Sequence, residues 1–205
     1  MLGVASTSQG LLVPRMTTVQ CNTISSAANG LIANTTTTGS TAVGYYSLYN
    51  NTNSGSTAIG DSSIVANTTG YNNVACVFKA LAANNGNDNT AVGYISLESN
   101  TTGGFNSALG CFSVLVNTTG SQNTGLGYKT LLSNTTGNDN TAAGQLSMQA
   151  NVSGSYNTGY GGFTLYNTTA SGNTACGYYS LYSNAGGADH TGVGLDCLQS
   201  KFSKL

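Results

Sequence analysis

Asn89-Thr90-Ala91-Val92-Gly93-Tyr94-Ile95-Ser96-Leu97-Glu98-Ser99-Asn100-Thr101-Thr102-Gly103 decides the fold, because nearly the same text returns at Asn123, Asn140, Asn157 and Asn173. Marked by its Thr position, the unit recurs at Thr41, Thr57, Val74, Thr90, Ser107, Thr124, Thr141, Thr158, Thr174 and Thr191, in steps of 16 or 17 residues. Where the step is 16, the missing residue falls in the turn after the Leu position. Helical repeats need about 33 residues or more, so this period is too short for them. T-A-V-G-Y followed by x-S-L-x-x predicts two short strands joined by a bend. N-T-T-G then closes a turn, since Asn tolerates left-handed backbone and Gly reaches positive φ. Each unit becomes one rung, stacked about 4.8 Å from the next. The expected architecture is all-β: a β-solenoid of about ten 17-residue rungs over residues 41–199. Residues 1–40 form an N-terminal attachment or capping segment, and residues 200–205 a C-terminal tail.

Three columns run through the array. Two residues after each marker stand Val43, Ile59, Cys76, Val92, Leu109, Leu126, Ala143, Tyr160, Cys176 and Val193. Seven after it stand Leu48, Ile64, Leu81, Leu97, Val114, Leu131, Met148, Leu165, Leu181 and Leu198. These two apolar columns are the expected rung core, represented by Val43, Leu48, Val92, Leu97, Leu126, Leu131, Val193 and Leu198. Between them lie Gly44, Gly60, Gly93, Gly110, Gly127, Gly144, Gly161, Gly177 and Gly194, interrupted only by Val77. Gly inside a strand marks a bulge or the close approach of another backbone. Two sizeable side chains per rung make a thin core against the entropy of ordering 17 residues. Association is the remedy. The Ala column (Ala42, Ala58, Ala75, Ala91, Ala108, Ala142) is expected to let three solenoids approach a common axis as a homotrimer.

Composition removes other classes. Charged residues are 5% of the chain, against roughly a quarter in ordinary domains. Disorder is excluded by 39% hydrophobic residues combined with a net charge of −1. Five scattered Lys and Arg cannot neutralise a row of phosphates, so no nucleic acid is expected. The apolar run from Leu109 to Val116 is too short to span a membrane. Met1 to Gly10 lack the basic start and apolar stretch of a secretory signal, which points to another export route or to release by lysis. Cys21, Cys76, Cys111, Cys176 and Cys197 form no C-x-x-C pair and read as buried thiols, not as a disulfide framework or zinc site.

Little here can carry chemistry. His190 is the only histidine and replaces the Asn that usually precedes the marker. No Ser/His/Asp or Cys/His constellation can be assembled, so no enzyme, cofactor or metal is expected. Gly86-Asn87-Asp88-Asn89 and Gly137-Asn138-Asp139-Asn140 faintly resemble a calcium loop, but one carboxylate in each fits ordinary turn chemistry better. Tyr46, Tyr49, Tyr166, Tyr179 and Tyr182 are candidate glycan contacts, because an exposed ring can stack on a sugar. The other reading has such rings pairing between rungs. N-x-S/T sequons at Asn34, Asn67, Asn100, Asn117, Asn134, Asn151 and Asn167 are turn residues or a glycosylated stripe, according to the host.

The N-T-A-V-G units resemble the head repeats of trimeric autotransporter adhesins, whose repeats are about three residues shorter. The longer N-T-A-V-G-Y-x-x-L-x-x-N-T-T-G form is similar to arrays in tail-fibre and appendage proteins of phages and other large viruses. That likeness covers Thr41 to Gln199. Upstream, Gly10-Leu11-Leu12-Val13-Pro14-Arg15-Met16-Thr17 resembles the segment that precedes such arrays, with Cys21 where an Arg is usual. Many of these proteins end in a self-cleaving trimerising chaperone, and nothing after Leu198 resembles one. The resemblance implies a virion fibre, most naturally a bacteriophage's, forming a trimeric shaft or head for host attachment. Its partners would be copies of itself, other virion proteins through residues 1–40, and host surface glycans. The alternatives are a cell-surface adhesin or self-polymerising extracellular filament, and more remotely an ice-binding solenoid, whose Thr row Val74 and Ser107 would interrupt.

Overall fold

A computed structural model describes residues 32–35 and 39–198; most of the expected N-terminal segment, with Arg15 and Cys21, and residues 199–205 lie outside the described residues. The described chain makes one eleven-stranded sheet in strict sequence order. β1 (Ile32–Thr35) runs antiparallel to β2 (Ser40–Val43). The strands that follow are β3 (Thr57–Ile59), β4 (Val74–Cys76), β5 (Thr90–Val92), β6 (Ser107–Leu109), β7 (Thr124–Leu126), β8 (Thr141–Ala143), β9 (Thr158–Tyr160), β10 (Thr174–Cys176) and β11 (Thr191–Val193). From β2 onward each pairs parallel with its successor, marker on marker, as in Thr41↔Thr57 and Thr174↔Thr191. This is a β-solenoid of stacked rungs with one strand per rung. The one-residue deletions leave the register intact, since each falls between the buried residue three after the Leu position (Asn51, Asn84 or Thr168) and the next strand.

The expected second strand does not form. In its place the chain turns twice, with Ser96 N–H donating to the Gly93 carbonyl at 3.2 Å and Asn100 N–H to Leu97 at 3.3 Å. The reason is backbone handedness. The residue five after each marker and the Leu-column residue both adopt positive φ, as at Ile95 (56°) and Leu97 (52°). A positive φ at the third position of the first turn is the geometry of a type II turn. Ile64 and Val114 do the same with branched side chains at 48° and 52°, where such residues are rare. Bonds from rung to rung hold them there. Leu97 N–H donates to Ser113 at 3.0 Å and Phe112 N–H to Tyr94 at 3.0 Å, so the turn wall is stitched almost as regularly as the sheet.

The core also differs from expectation at half its positions. Leu48, Leu97 and Leu131 are buried, but Val92 and Leu126 lie on the outer face at 38% and 39% exposure, and Val193 is more exposed still. Val43 is half-exposed. In a three-residue strand the middle side chain faces one way and its neighbours the other. Here the middle residue, Ala or Gly, faces in, and Thr and Val face out. Ala58, Ala75, Ala91, Ala108 and Ala142 are fully buried inside the single chain, so they do not line an axis between chains. The interior is narrow enough to require them: the Leu column from the opposite wall reaches the strand. Leu198 is 36% exposed because no further rung covers it among the described residues.

The rest of the interior is amide. Two Asn columns are fully buried, one at Asn67, Asn84, Asn100, Asn117, Asn134 and Asn151, the other at Asn73, Asn89, Asn106, Asn123, Asn140, Asn157 and Asn173. In the first, Nδ2 donates to the Oδ1 one rung below, as Asn117 to Asn100 at 2.7 Å and Asn134 to Asn117 at 2.9 Å, except at Asn84, whose Nδ2 donates to the Gly86 carbonyl at 2.9 Å. In the second, Oδ1 also accepts the next rung's backbone N–H, as Asn123 accepts from Asn140 at 3.1 Å. Such ladders satisfy polar groups that would otherwise cost about 1–3 kcal/mol each when buried.

Candidate assembly and attachment surfaces

The solenoid presents three kinds of exterior. The first is the outer face of the sheet, formed by the marker column and the Val column. Ile59, Leu109 and Tyr160 are 45%, 43% and 54% exposed along it. Neither column contains an Asp, Glu, Lys, Arg or His in any rung. Cys76 and Cys176 belong to this face; they and Cys111 and Cys197 are free, and none of the four is buried. The expected burial of Cys76, Cys111 and Cys176 fails because their columns point outward, whereas Cys197 stands in the inward Ser column and is half-exposed in the last described rung.

The second exterior, beyond the Gly corner, is aromatic. Phe78 stacks on Tyr94 at 5.4 Å, Tyr94 meets Phe112 edge-on at 5.5 Å, and Phe112 meets Tyr128 at 6.3 Å. Lys129 Nζ lies 5.1 Å from the Tyr128 ring centre. The five tyrosines named from sequence fall in two groups. Tyr46 and Tyr49 meet edge-on at 4.8 Å near one end. Near the other, Tyr166 stacks on Tyr182 at 4.9 Å and Tyr179 packs against Phe163 at 4.9 Å. Tyr166 meets Tyr182 and Tyr179 meets Phe163 between rungs, whereas Tyr46 and Tyr49 belong to one rung and are 43% and 39% exposed. Hydrogen bonding to Tyr46 pushes the Tyr45 phenol above its ordinary value, and Tyr178 does the same to Tyr179.

The third exterior is the N-T-T-G edge. Thr101, Thr118 and Thr135 hydroxyls each donate to a carbonyl of the next rung at 2.9–3.0 Å. The sequon asparagines Asn67, Asn100, Asn117, Asn134 and Asn151 belong to the buried ladder, so a glycosylated stripe cannot form on them in the folded chain. The two loops with a calcium-like pattern are likewise committed: Asn87 Oδ1 accepts from Tyr71 N–H at 3.1 Å and Asn138 Oδ1 from Ser121 N–H at 2.8 Å. Among the described residues no group of three or more His, Cys, Asp and Glu could hold a metal. His190 extends the second Asn column, its N–H donating to Asn173 Oδ1 at 3.0 Å and its Nδ1 lying 3.3 Å from Asn184 Oδ1. The ladder's signature in the sequence is an Asn at fixed phase in almost every rung.

Stitched rung to rung, with one uncharged sheet face and one aromatic face, the chain is a repeat β-solenoid. Residues 1–87 match the family model described as a phage tail like trimerisation region, a stretch that takes in β1 to β4. No curated protein and no solved structure matches the chain. The match supports a phage tail-fibre-like protein, a structural role and a homotrimer.

Proposed function

We propose that the chain is a non-enzymatic structural protein of a virion appendage, most naturally a bacteriophage fibre, and that three copies form its shaft or head for host attachment. The observation that carries this reading is the similarity of residues 1–87 to a phage tail like trimerisation region, running into a solenoid whose rungs repeat without interruption to Leu198. A rod suits the task. Ten rungs at about 4.8 Å give a length on the order of 50 Å, and every rung is tied to its neighbours by backbone and amide bonds. In this proposal residues 1–40 attach or cap the shaft, consistent with β1 closing the N-terminal edge of the sheet. Residues 41–199 are the repeat body, and 200–205 a tail. The aromatic face, with Tyr46, Tyr49, Tyr166, Tyr179 and Tyr182 at its two ends, is the part suited to host glycans. Antibodies raised against the repeat body should label an appendage on purified virions and block adsorption to host cells. Label confined to the surface of the producing cells would replace this reading with the adhesin.

A further inference from the structure

We infer that the interface between copies is the outer face of the sheet, with the Val column of each chain turned toward the other two. The inference rests on the trimeric reading above and names the surface that it uses. Three observations select this face. Its Val column is apolar in every rung, beside a marker column made mostly of Thr, and stands exposed in the single chain, as at Ile59, Val92, Leu109 and Leu126. It is also the one exterior without Asp, Glu, Lys, Arg or His: the aromatic face carries Asp61, Lys79, Glu98, Lys129 and Asp196, and the turn edge carries Asp88, Asp139 and Asp189. A charge placed against an axis is met by its own copies, and burying it unpaired is costly. Third, the matched trimerisation stretch runs into β2, β3 and β4, whose outward column is continuous with that of every later rung. A continuous exposed apolar strip of this kind marks an interaction site.

The cysteines offer a test that leaves the fold untouched. In a lone chain Cys176 is exposed and Cys111, on the aromatic face, is less so. A bulky maleimide should therefore label Cys176 first in a monomer. If the sheet face is the interface, the order reverses in the native assembly: Cys111 is labelled and Cys176 is lost as a site until denaturation. Peptide mapping of the labelled full chain, with light scattering on the same sample, reads both points. A trimer in which Cys176 still labels ahead of Cys111 overturns the interface but leaves the trimer standing. A monomeric mass overturns the trimeric reading itself. Leu126→Asp gives a second readout, with expected loss of trimer mass, whereas Tyr128→Asp on the aromatic face should keep it. The opposite pattern would move the interface to the aromatic face.

Discussion

Ser113 Oγ occupies the space in which a side chain on Gly125 of the next rung would begin: a Cβ there would lie 2.6 Å from it. From that position Ser113 donates to the Gly125 carbonyl at 3.0 Å. Ser147 and Ser180 treat Gly159 and Gly192 in the same way. Ser47, Ser63 and Ser96, each followed by a rung with Ala, bond instead to the carbonyl of their own rung glycine. The three rungs with Gly in place of Ala also carry Thr130, Thr164 and Cys197 where most rungs have Ser. One small interior volume is thus shared among three side chains of two rungs.

That sharing makes Gly125→Ala unfavourable despite its gain in chain stiffness. The new methyl would meet Ser113 Oγ, Val114 Cγ2 at 2.7 Å and Thr130 Oγ1 at 2.8 Å. Overpacking of this size costs about 1–3 kcal/mol. Ser113 can retreat to the acceptor that Ser96 uses, but Thr130, branched at Cβ, cannot turn its hydroxyl aside as freely as a Ser could. Gly125→Ala should lower the denaturation midpoint, and adding Thr130→Ser should recover most of the loss. Strict additivity of the two changes in a double-mutant cycle would show that the volumes are not shared.

The same crowding explains what sequence could reveal. Period, register, deletions and the buried Leu column were legible, because each depends on repetition or on one large side chain. The inward face of the strand was not. Hydrophobicity favours Val92 over Ala91, yet Ala91 is inside, since the opposing Leu column leaves room for no more than a methyl. Nor did propensity foresee positive φ at Leu97 or Val114, which stacking imposes against local preference. A single Asn reads as turn chemistry, because it looks the same in a turn as in a ladder.

At Gly93 the rung geometry forbids a side chain. Its φ is +143°, and a Cβ would lie 2.4 Å from the Gly110 carbonyl oxygen. Gly93→Val should abolish folding or assembly, while Tyr94→Val beside it should be mild. Val77 is the natural counterpart, a branched residue in the same column at φ 89°. Strain of that kind is worth about 1–3 kcal/mol, so Val77→Gly should raise the melting temperature. If Gly93→Val melts like the parent, the column is inherited and not required.

A break in the first ladder gives a stabilising change. Thr168 stands where other rungs have Asn, and both its hydroxyl oxygen and Asn151 Oδ1 are buried without a partner. Thr168→Asn supplies an amide that can donate to Asn151 Oδ1. About 1 kcal/mol is the usual net return for such a bond. Thermal melts of the two proteins check it; an unchanged or lower midpoint would mean that the rung cannot seat the longer side chain.

The intact ladder can be probed by charge. Asn117 Nδ2 donates to Asn100 Oδ1 at 2.7 Å and to the Gly120 carbonyl at 2.8 Å, while its Oδ1 accepts from Asn134. Asn117→Ala strands groups on both sides and should cost about 2–4 kcal/mol. Asn117→Asp keeps the shape but turns a donor into an acceptor facing two acceptors, inside a buried column. Burial and those oxygens favour the neutral acid, so the folded pKa of the new carboxyl rises above its unfolded value. A group shifted that way stabilises most below its unfolded pKa, and that contribution is lost as pH rises through the folded pKa. The gap in stability between parent and Asn117→Asp should therefore be small near pH 4 and widen toward pH 7, whereas the gap for Asn117→Ala should stay level. Denaturation of all three proteins across that range decides it. A pH-independent gap for Asn117→Asp would mean that the carboxylate reaches water, and that the column opens more readily than its hydrogen bonds imply.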